Sequence, residues 1–276
     1  RMEDHPHVTL NDGVSIPQLG FGSYMATGKR GFMAVKHALE VGYAHVDSAI
    51  FYENEAEVGQ AVAEAKLDRK NIFVTSKLWS DGHGSRQAVD AVESSLKEMK
   101  LDFIDLYLIH SPYGGQLVDT YKALHGLKKK GKIRSVGVSN FGVHHLEGLA
   151  KAGLPLPSVN QIELHPFLQQ KEIVEYCNSK GIAIEAYSPL GKGGWLSDKT
   201  VGKIGKKHQK SAAQVLIRWS LQKGYIVLPK SSNPKRIEQN AKVFDFALDE
   251  GDMKTLAALD CGRNCTWDPT TNPWSG

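Results

Sequence analysis

The feature that most constrains this chain is an alternation repeated eight times. Short β-branched runs, QLGFGSY (18–24), YAHVD (43–47), IFVTSKLW (72–79), IDLYLIH (104–110), IRSVGVSN (133–140), SVNQIEL (158–164), IAIEAYSPL (182–190) and YIVLPKS (225–231), are separated by longer stretches. Several of those stretches have helical periodicity: RGFMAVKHALEVG (30–42), SRQAVDAVESSLKEMK (85–100), LVDTYKALHGLKKKG (117–131) and SAAQVLIRWSLQKG (211–224). Most of these stop at glycine, the common helix-ending residue. Strands alternating with helices imply βαβ units and a parallel sheet. Eight units without a break in composition favour an α/β fold of the closed (β/α)8 barrel type over an open doubly wound sheet. The length of 276 residues fits one such domain spanning 1–276. Asp12-Gly13 within VTLNDGVSIPQLG (8–20) predicts a β-hairpin ahead of the barrel. The stretch 191–210 predicts an extra turn or helix after the seventh strand.

Composition narrows the function. Hydrophobic residues make up 41% and charged residues 23%, enough to build a large core. The net charge of +4 comes without a basic stripe interleaved with aromatics, which argues against nucleic acid but suits an anionic ligand. No apolar run approaches a membrane span, and RMEDHPHVTL lacks the apolar core of a signal peptide. Arg1 ahead of Met2 is set aside. Cys177, Cys261 and Cys265 form no CxxC pair, and His144-His145 and His165 have no partners at metal spacing. Free thiols, no metal, a cytoplasmic setting and a monomer are expected.

The polar residues fall where such a barrel builds its site, at the C-terminal strand ends. Strand two ends at Asp47, three at Lys77, four at His110 and five at Ser139-Asn140. Strand six carries Gln161, seven ends at Tyr187-Ser188 and eight at Lys230-Ser231. Tyr52 follows Asp47 by five residues. A phenol is a poor acid at neutral pH, and a nearby ammonium is expected to lower its pKa. Asp47 can pin the Lys77 ammonium, and His110 can polarise the oxygen that Tyr52 serves. Together they form a proton donor aimed at a carbonyl. The matching hydride has to come from a nicotinamide. GFGSY (20–24) is too short for a dinucleotide fingerprint. LPKSSNPKRIEQN (228–240) is the better phosphate site, with Lys230, Arg236, Ser231, Ser232 and a helix opened by Asn233-Pro234. Its two cations suit a 2′-phosphate, hence NADPH over NADH.

These residues resemble the aldo-keto reductases over nearly the whole chain. The matching motifs are GYAHVDSAIFYENE, SKLW, LYLIHSP, GVSNF, NQIELHP, AYSPLG and LPKSSNPKRIEQN, in that order. The resemblance implies reduction of a small carbonyl substrate by NADPH, with NADP+ formed. It implies Tyr52 as general acid, Lys77 and Asp47 as its tuning pair, and His110 as orienter. It gives Tyr187 the nicotinamide face, and Ser139, Asn140 and Gln161 the carboxamide. Ser188, Leu190, Lys230, Ser231, Ser232, Arg236 and Asn240 would hold phosphates, ribose and adenine. Tyr24, Trp79 and Ser111 would border the substrate. The chain departs from the family where Ser48 replaces a frequent Thr, Ser111 and Tyr24 replace frequent Trp residues, and Gln239 replaces an acid. The short GKGGWLSDKT loop resembles bacterial and protozoan members acting on diketogluconate or prostaglandin-like substrates.

Each residue alone has a plainer reading. Asp47 is a strand-end salt-bridge partner, His110 a core histidine, Tyr52 a surface ring. Lys77 is also a candidate Schiff-base lysine of an aldolase. A non-enzymatic use of the fold is a further alternative. KKKGKIR (128–134) reads as a solvated helix end. The tail CTWDPTTNPWSG (265–276) either folds over the substrate mouth through Trp267 or Trp274, or frays.

Overall fold

The computed structural model describes residues 5–276, so Arg1 and Met2 lie outside the described residues. A hairpin of β1 (His7–Thr9) and β2 (Ser15–Pro17) comes first, pairing Val8 with Ile16. Gly13 adopts φ 84° in its turn, a left-handed conformation that glycine reaches without strain. Eight parallel strands follow in sequence order: β3 (Phe21–Gly22), β4 (His45–Asp47), β5 (Phe73–Leu78), β6 (Ile104–Ile109), β7 (Ile133–Ser139), β8 (Val159–Glu163), β9 (Ala183–Tyr187) and β10 (Ile226–Leu228). The first and last are joined as well. Gly20 N–H donates to Val227 O at 2.9 Å, Val227 N–H to Gln18 O at 2.8 Å and Gly22 N–H to Pro229 O at 3.0 Å. The sheet is therefore a closed barrel, as the alternation implied.

The helices are α1 (Gly28–Val41), α2 (Glu55–Glu64), α3 (Ser85–Met99), α4 (Leu117–Lys129), α5 (Val143–Lys151), α6 (Lys171–Ser179), α7 (Lys199–His208), α8 (Ala212–Gln222), α9 (Pro234–Ala241) and α10 (Glu250–Ala257). The extra element expected in 191–210 is α7. Gly42 ends α1 at φ 112°, whereas α3 is ended by Lys100 at φ 53°. No helix among the described residues is long and apolar enough to cross a membrane.

Period two along the strands decides what faces where. Val74, Tyr107, Ile109, Val136, Val138, Ile162, Ile184 and Ala186 pack outward with helix residues such as Val35, Val92, Leu124, Leu146 and Leu216. The inward stripe changes character along its length. At the N-terminal end, Phe73, Leu106, Leu108, Val159 and Ile226 form an apolar layer, plugged by Leu10 and Ile16 of the hairpin. Further along, the inward positions become His45, Thr75, Gln161 and Glu185, then Asp47 and Lys77, all buried. Gly20 lies so close to this layer that an added Cβ would sit 2.5 Å from His45 Nδ1.

Candidate active site

Lys77 is completely buried on β5, and an ammonium there needs partners for all its hydrogens. It has three: Asp47 Oδ1 at 2.6 Å, Ser48 O at 2.8 Å and Tyr52 Oη at 3.3 Å. Its Nζ also lies 4.8 Å from the Tyr52 ring centroid. Tyr52 closes a single 3₁₀ turn, Ile50–Tyr52, which Glu53 ends at φ 51°. That turn brings the phenol back over the end of β4. Ser48 fixes the loop from below, its hydroxyl donating to Asn54 Oδ1 at 2.7 Å, while Asn54 Nδ2 donates to Ser23 O and Ala26 O. Threonine would offer the same hydroxyl to Asn54, so nothing in the structure explains serine at position 48.

The phenol does not titrate as the sequence predicts. Burial pushes the Tyr52 pKa well above its ordinary value, and Asp47, Tyr24 and Glu185 add to the rise. Lys77 fails to bring it down because its charge is spent on Asp47, the closer partner, and a dehydrated phenolate is costly. Tyr52 is thus a protonated phenol at neutral pH. Its oxygen accepts the Lys77 N–H, which leaves its own O–H free to donate.

His110 follows β6, edge-on to Tyr52 with ring centroids 5.7 Å apart. Burial, then the Lys77 charge, holds it well below the usual imidazole range, so the ring is neutral. Its carbonyl accepts Asn140 Nδ2 at 3.0 Å, and Asn140 Oδ1 accepts the Tyr187 hydroxyl at 2.8 Å. Asn140 and Ser188 hold left-handed backbone, φ 60° and 49°, a strain that commonly marks functional strand ends. Ser139 Oγ donates to Gln161 O. Gln161 points into the barrel, donating to Asp47 Oδ2 at 2.8 Å and Glu185 Oε2 at 2.7 Å.

The phosphate candidates gather beside β10. Ser231 Oγ accepts Asn233 N–H, Asn233 Oδ1 caps α9 by accepting Arg236 N–H, and Asn240 is buried one helix length on. Ser232 and Leu190 are half-buried and Arg236 is exposed. Lys230 and Arg236 take part in no ion pair among the described residues. Burial and nearby Arg30 lower the Lys230 pKa. Lys230 beside Arg30, with neither in an ion pair among the described residues, fits a polyanionic cofactor such as a phosphorylated dinucleotide.

Aromatic rings wall the mouth. Tyr24 lies 5.1 Å from Tyr52, Phe51 stacks on Trp79 at 4.1 Å, and Trp79 lies 5.6 Å from Trp267. Ser111, next to His110, is buried with its hydroxyl accepting Tyr113 N–H at 3.2 Å. The tail does not fray. Trp267 reaches the mouth, while Trp274 lies flat against Gly148 of α5, where a Cβ would meet its ring at 2.6 Å.

A buried carboxylate pins that tail. Glu163, at the end of β8, accepts from Cys265 N–H at 2.6 Å, Thr266 N–H at 2.9 Å, the Thr266 hydroxyl and the His165 ring at 3.0 Å. The Thr266 hydroxyl lies 3.3 Å from that of Tyr187. Ligand atoms of Glu163, His165 and Cys265 fall within 4.8 Å of one another, which corrects the expectation that His165 has no partners at metal spacing. Burial alone would raise the Glu163 pKa, but these hydrogen bonds hold it low. Burial and Glu163 push the Cys265 thiol up to about 11. A protonated thiol and a saturated carboxylate describe a clamp on the chain.

Sequence reading missed Glu185, Glu163, Arg30 and Phe51. The acid inside IAIEAY was the available signal for Glu185.

A profile of the Aldo/keto reductase family matches residues 18–260. The 9,11-endoperoxide prostaglandin H2 reductase of Trypanosoma cruzi is 44% identical over 95% of this chain and 94% of its own length. The glyoxal reductase of Bacillus subtilis is 44% identical over 92% of each chain. The crystal structure of a Bombyx mori aldo-keto reductase in complex with NADP superposes with a TM-score of 0.89 at 35% identity, covering 95% of both chains. Family profile, relatives and fold agree: the chain belongs to the aldo/keto reductase family.

Proposed function

We propose that this chain reduces small aldehydes and ketones with NADPH, and that Tyr52 is the proton donor. The observation carrying this is the phenol oxygen itself, which receives Lys77 N–H at 3.3 Å beneath a mouth of aromatic rings. Bound NADPH supplies a hydride to the carbonyl carbon. Tyr52 delivers its proton to the carbonyl oxygen, and Lys77, held by Asp47, stabilises the charge developing on the phenol oxygen. Neutral His110 orients the carbonyl. Tyr187 and Asn140 offer a ring face and an amide to the nicotinamide, and Lys230, Arg236 and the Asn233-capped helix receive the phosphates. Lys230 and Arg236, in no ion pair among the described residues, favour the phosphorylated cofactor.

The relatives guide the substrate. A short dicarbonyl such as glyoxal is the first to try, and Tyr24, Phe51, Trp79 and Trp267 can enclose larger apolar groups. An aldolase reading of Lys77 fares worse, since Schiff-base chemistry needs a free amine and this one already serves three acceptors. The test is NADPH and NADH consumption across an aldehyde and ketone panel. Turnover with NADPH preferred is expected. No turnover with either cofactor would refute the proposal.

A further inference from the structure

Beneath the tetrad lies a second carboxyl. Glu185, on β9 beside Gln161 on β8, is fully buried. Gln161 has two amide hydrogens; one goes to Asp47 and the other to Glu185. Asp47 is thereby gripped at both oxygens, Oδ1 by Lys77 and Oδ2 by Gln161. Glu185 fixes the amide from behind and keeps it from rotating away. Its other oxygen, Oε1, has no hydrogen-bond partner and lies 3.6 Å from His45 Nε2.

The charges around Glu185 allow only one cation. From β4 come His45 and Asp47, from β5 Lys77 and the Thr75 hydroxyl, and from the turn after β4 Tyr52. From β10, Ile226 is paired with Glu185 in register and brings no charge. Burial drives His45 down to about 3, so its ring is neutral, and it contacts the Thr75 hydroxyl at 3.0 Å. Lys77 and Asp47 cancel. An ionised Glu185 would be an uncompensated buried charge, which is expensive.

We propose that Glu185 is a positioning residue for the tetrad: held uncharged, it steadies Gln161 against Asp47, and its ionisation sets a second carboxylate competing with Asp47 for Gln161 and Lys77. The proposal rests on the reductase reading. Burial, then Asp47, pushes the Glu185 pKa up to about 8, inside an assayable window. Tyr52 titrates well above its usual range and stays protonated through that window.

The test compares wild type with Glu185→Gln, which mimics the neutral acid, and with Glu185→Met as a second neutral variant should the first fold poorly. The readouts are the ratio of kcat at pH 7 to pH 9 with NADPH saturating, and Tm against pH. Wild type should lose about tenfold in kcat over those two units, as one titration centred near pH 8 requires, while the variants hold within about twofold. The sign for stability is that of a raised acid: the native state keeps a proton that the unfolded chain releases above its ordinary Glu pKa. Wild-type stability therefore falls between about pH 4.5 and 8, and the Tm advantage of Glu185→Gln should widen over that range. Parallel kcat profiles, or a constant Tm gap, would overturn this inference alone. No turnover by wild type at any pH would overturn it together with the reductase reading.

Discussion

The two ends of the barrel interior use the same strands for opposite purposes. At the N-terminal end Phe73, Leu106, Leu108, Val159 and Ile226 meet the hairpin residues Leu10 and Ile16 in an apolar plug. At the other end the same inward stripe carries Asp47, Lys77, Gln161, Glu185 and His110. On β5 the change takes five residues, from Phe73 through Thr75 to Lys77. The lower layer gains from removing apolar surface from water. The upper layer pays desolvation for five ionisable groups, His45, Asp47, Lys77, His110 and Glu185, and offsets it with hydrogen bonds fixed in direction. Stability should therefore respond chiefly to changes below, and turnover to changes above.

That contrast can be broken or sharpened by substitution. The largest expected effect is at the top. Tyr52→Phe should lower kcat by about 10²–10⁴-fold, the range for loss of a general acid, with thermal unfolding barely moved. A large drop in Tm would mean the phenol is structural. Leu106→Ala should do the reverse, costing about 2–5 kcal/mol in chemical denaturation with little change in kcat. A kcat loss as large as that of Tyr52→Phe would erase the distinction between the layers. Arg236→Ala removes an exposed cation held by no ion pair among the described residues. Its KM for NADPH should rise about tenfold or more, with KM for NADH changing far less, as expected for a lost charge-assisted contact. Equal rises for both cofactors would place Arg236 away from the 2′-phosphate.

The smallest effect should come from the clamp. Thr266→Val removes one hydroxyl from Glu163 and from the vicinity of Tyr187 while keeping both backbone N–H bonds. It should cost about 1 kcal/mol and shift KM for bulky substrates through Trp267 more than for glyoxal. Identical shifts for both substrate sizes would separate the tail from the mouth.

The barrel was legible because each strand after the first announces itself twice, by its apolar run and by the polar residue it delivers at or near its end. Asp47, Lys77 and His110 stood at those ends, and the structure brings them together with Tyr52. What escaped depends on pairing between distant strands. Glu185 reads as a polar intrusion in IAIEAY until Gln161 and Asp47 are seen to face it. Glu163 and His165 gain meaning only from Cys265 and Thr266, about a hundred residues on. Phe51 carries no signal of its own beside Tyr52, yet it stacks on Trp79. The direction of the Tyr52 shift was misjudged because sequence places a lysine and its aspartate near the phenol, but not the burial that dominates both.

The central claim is that Tyr52 gives the proton while other groups hold the cofactor. It is tested most directly by a single-turnover reaction of NADPH-loaded protein with glyoxal, wild type against Tyr52→Phe, with NADPH affinity measured alongside by fluorescence. The account predicts an NADPH affinity within about twofold of wild type and a hydride-transfer rate at least about 10²-fold slower. Equal rates in the two proteins would contradict it.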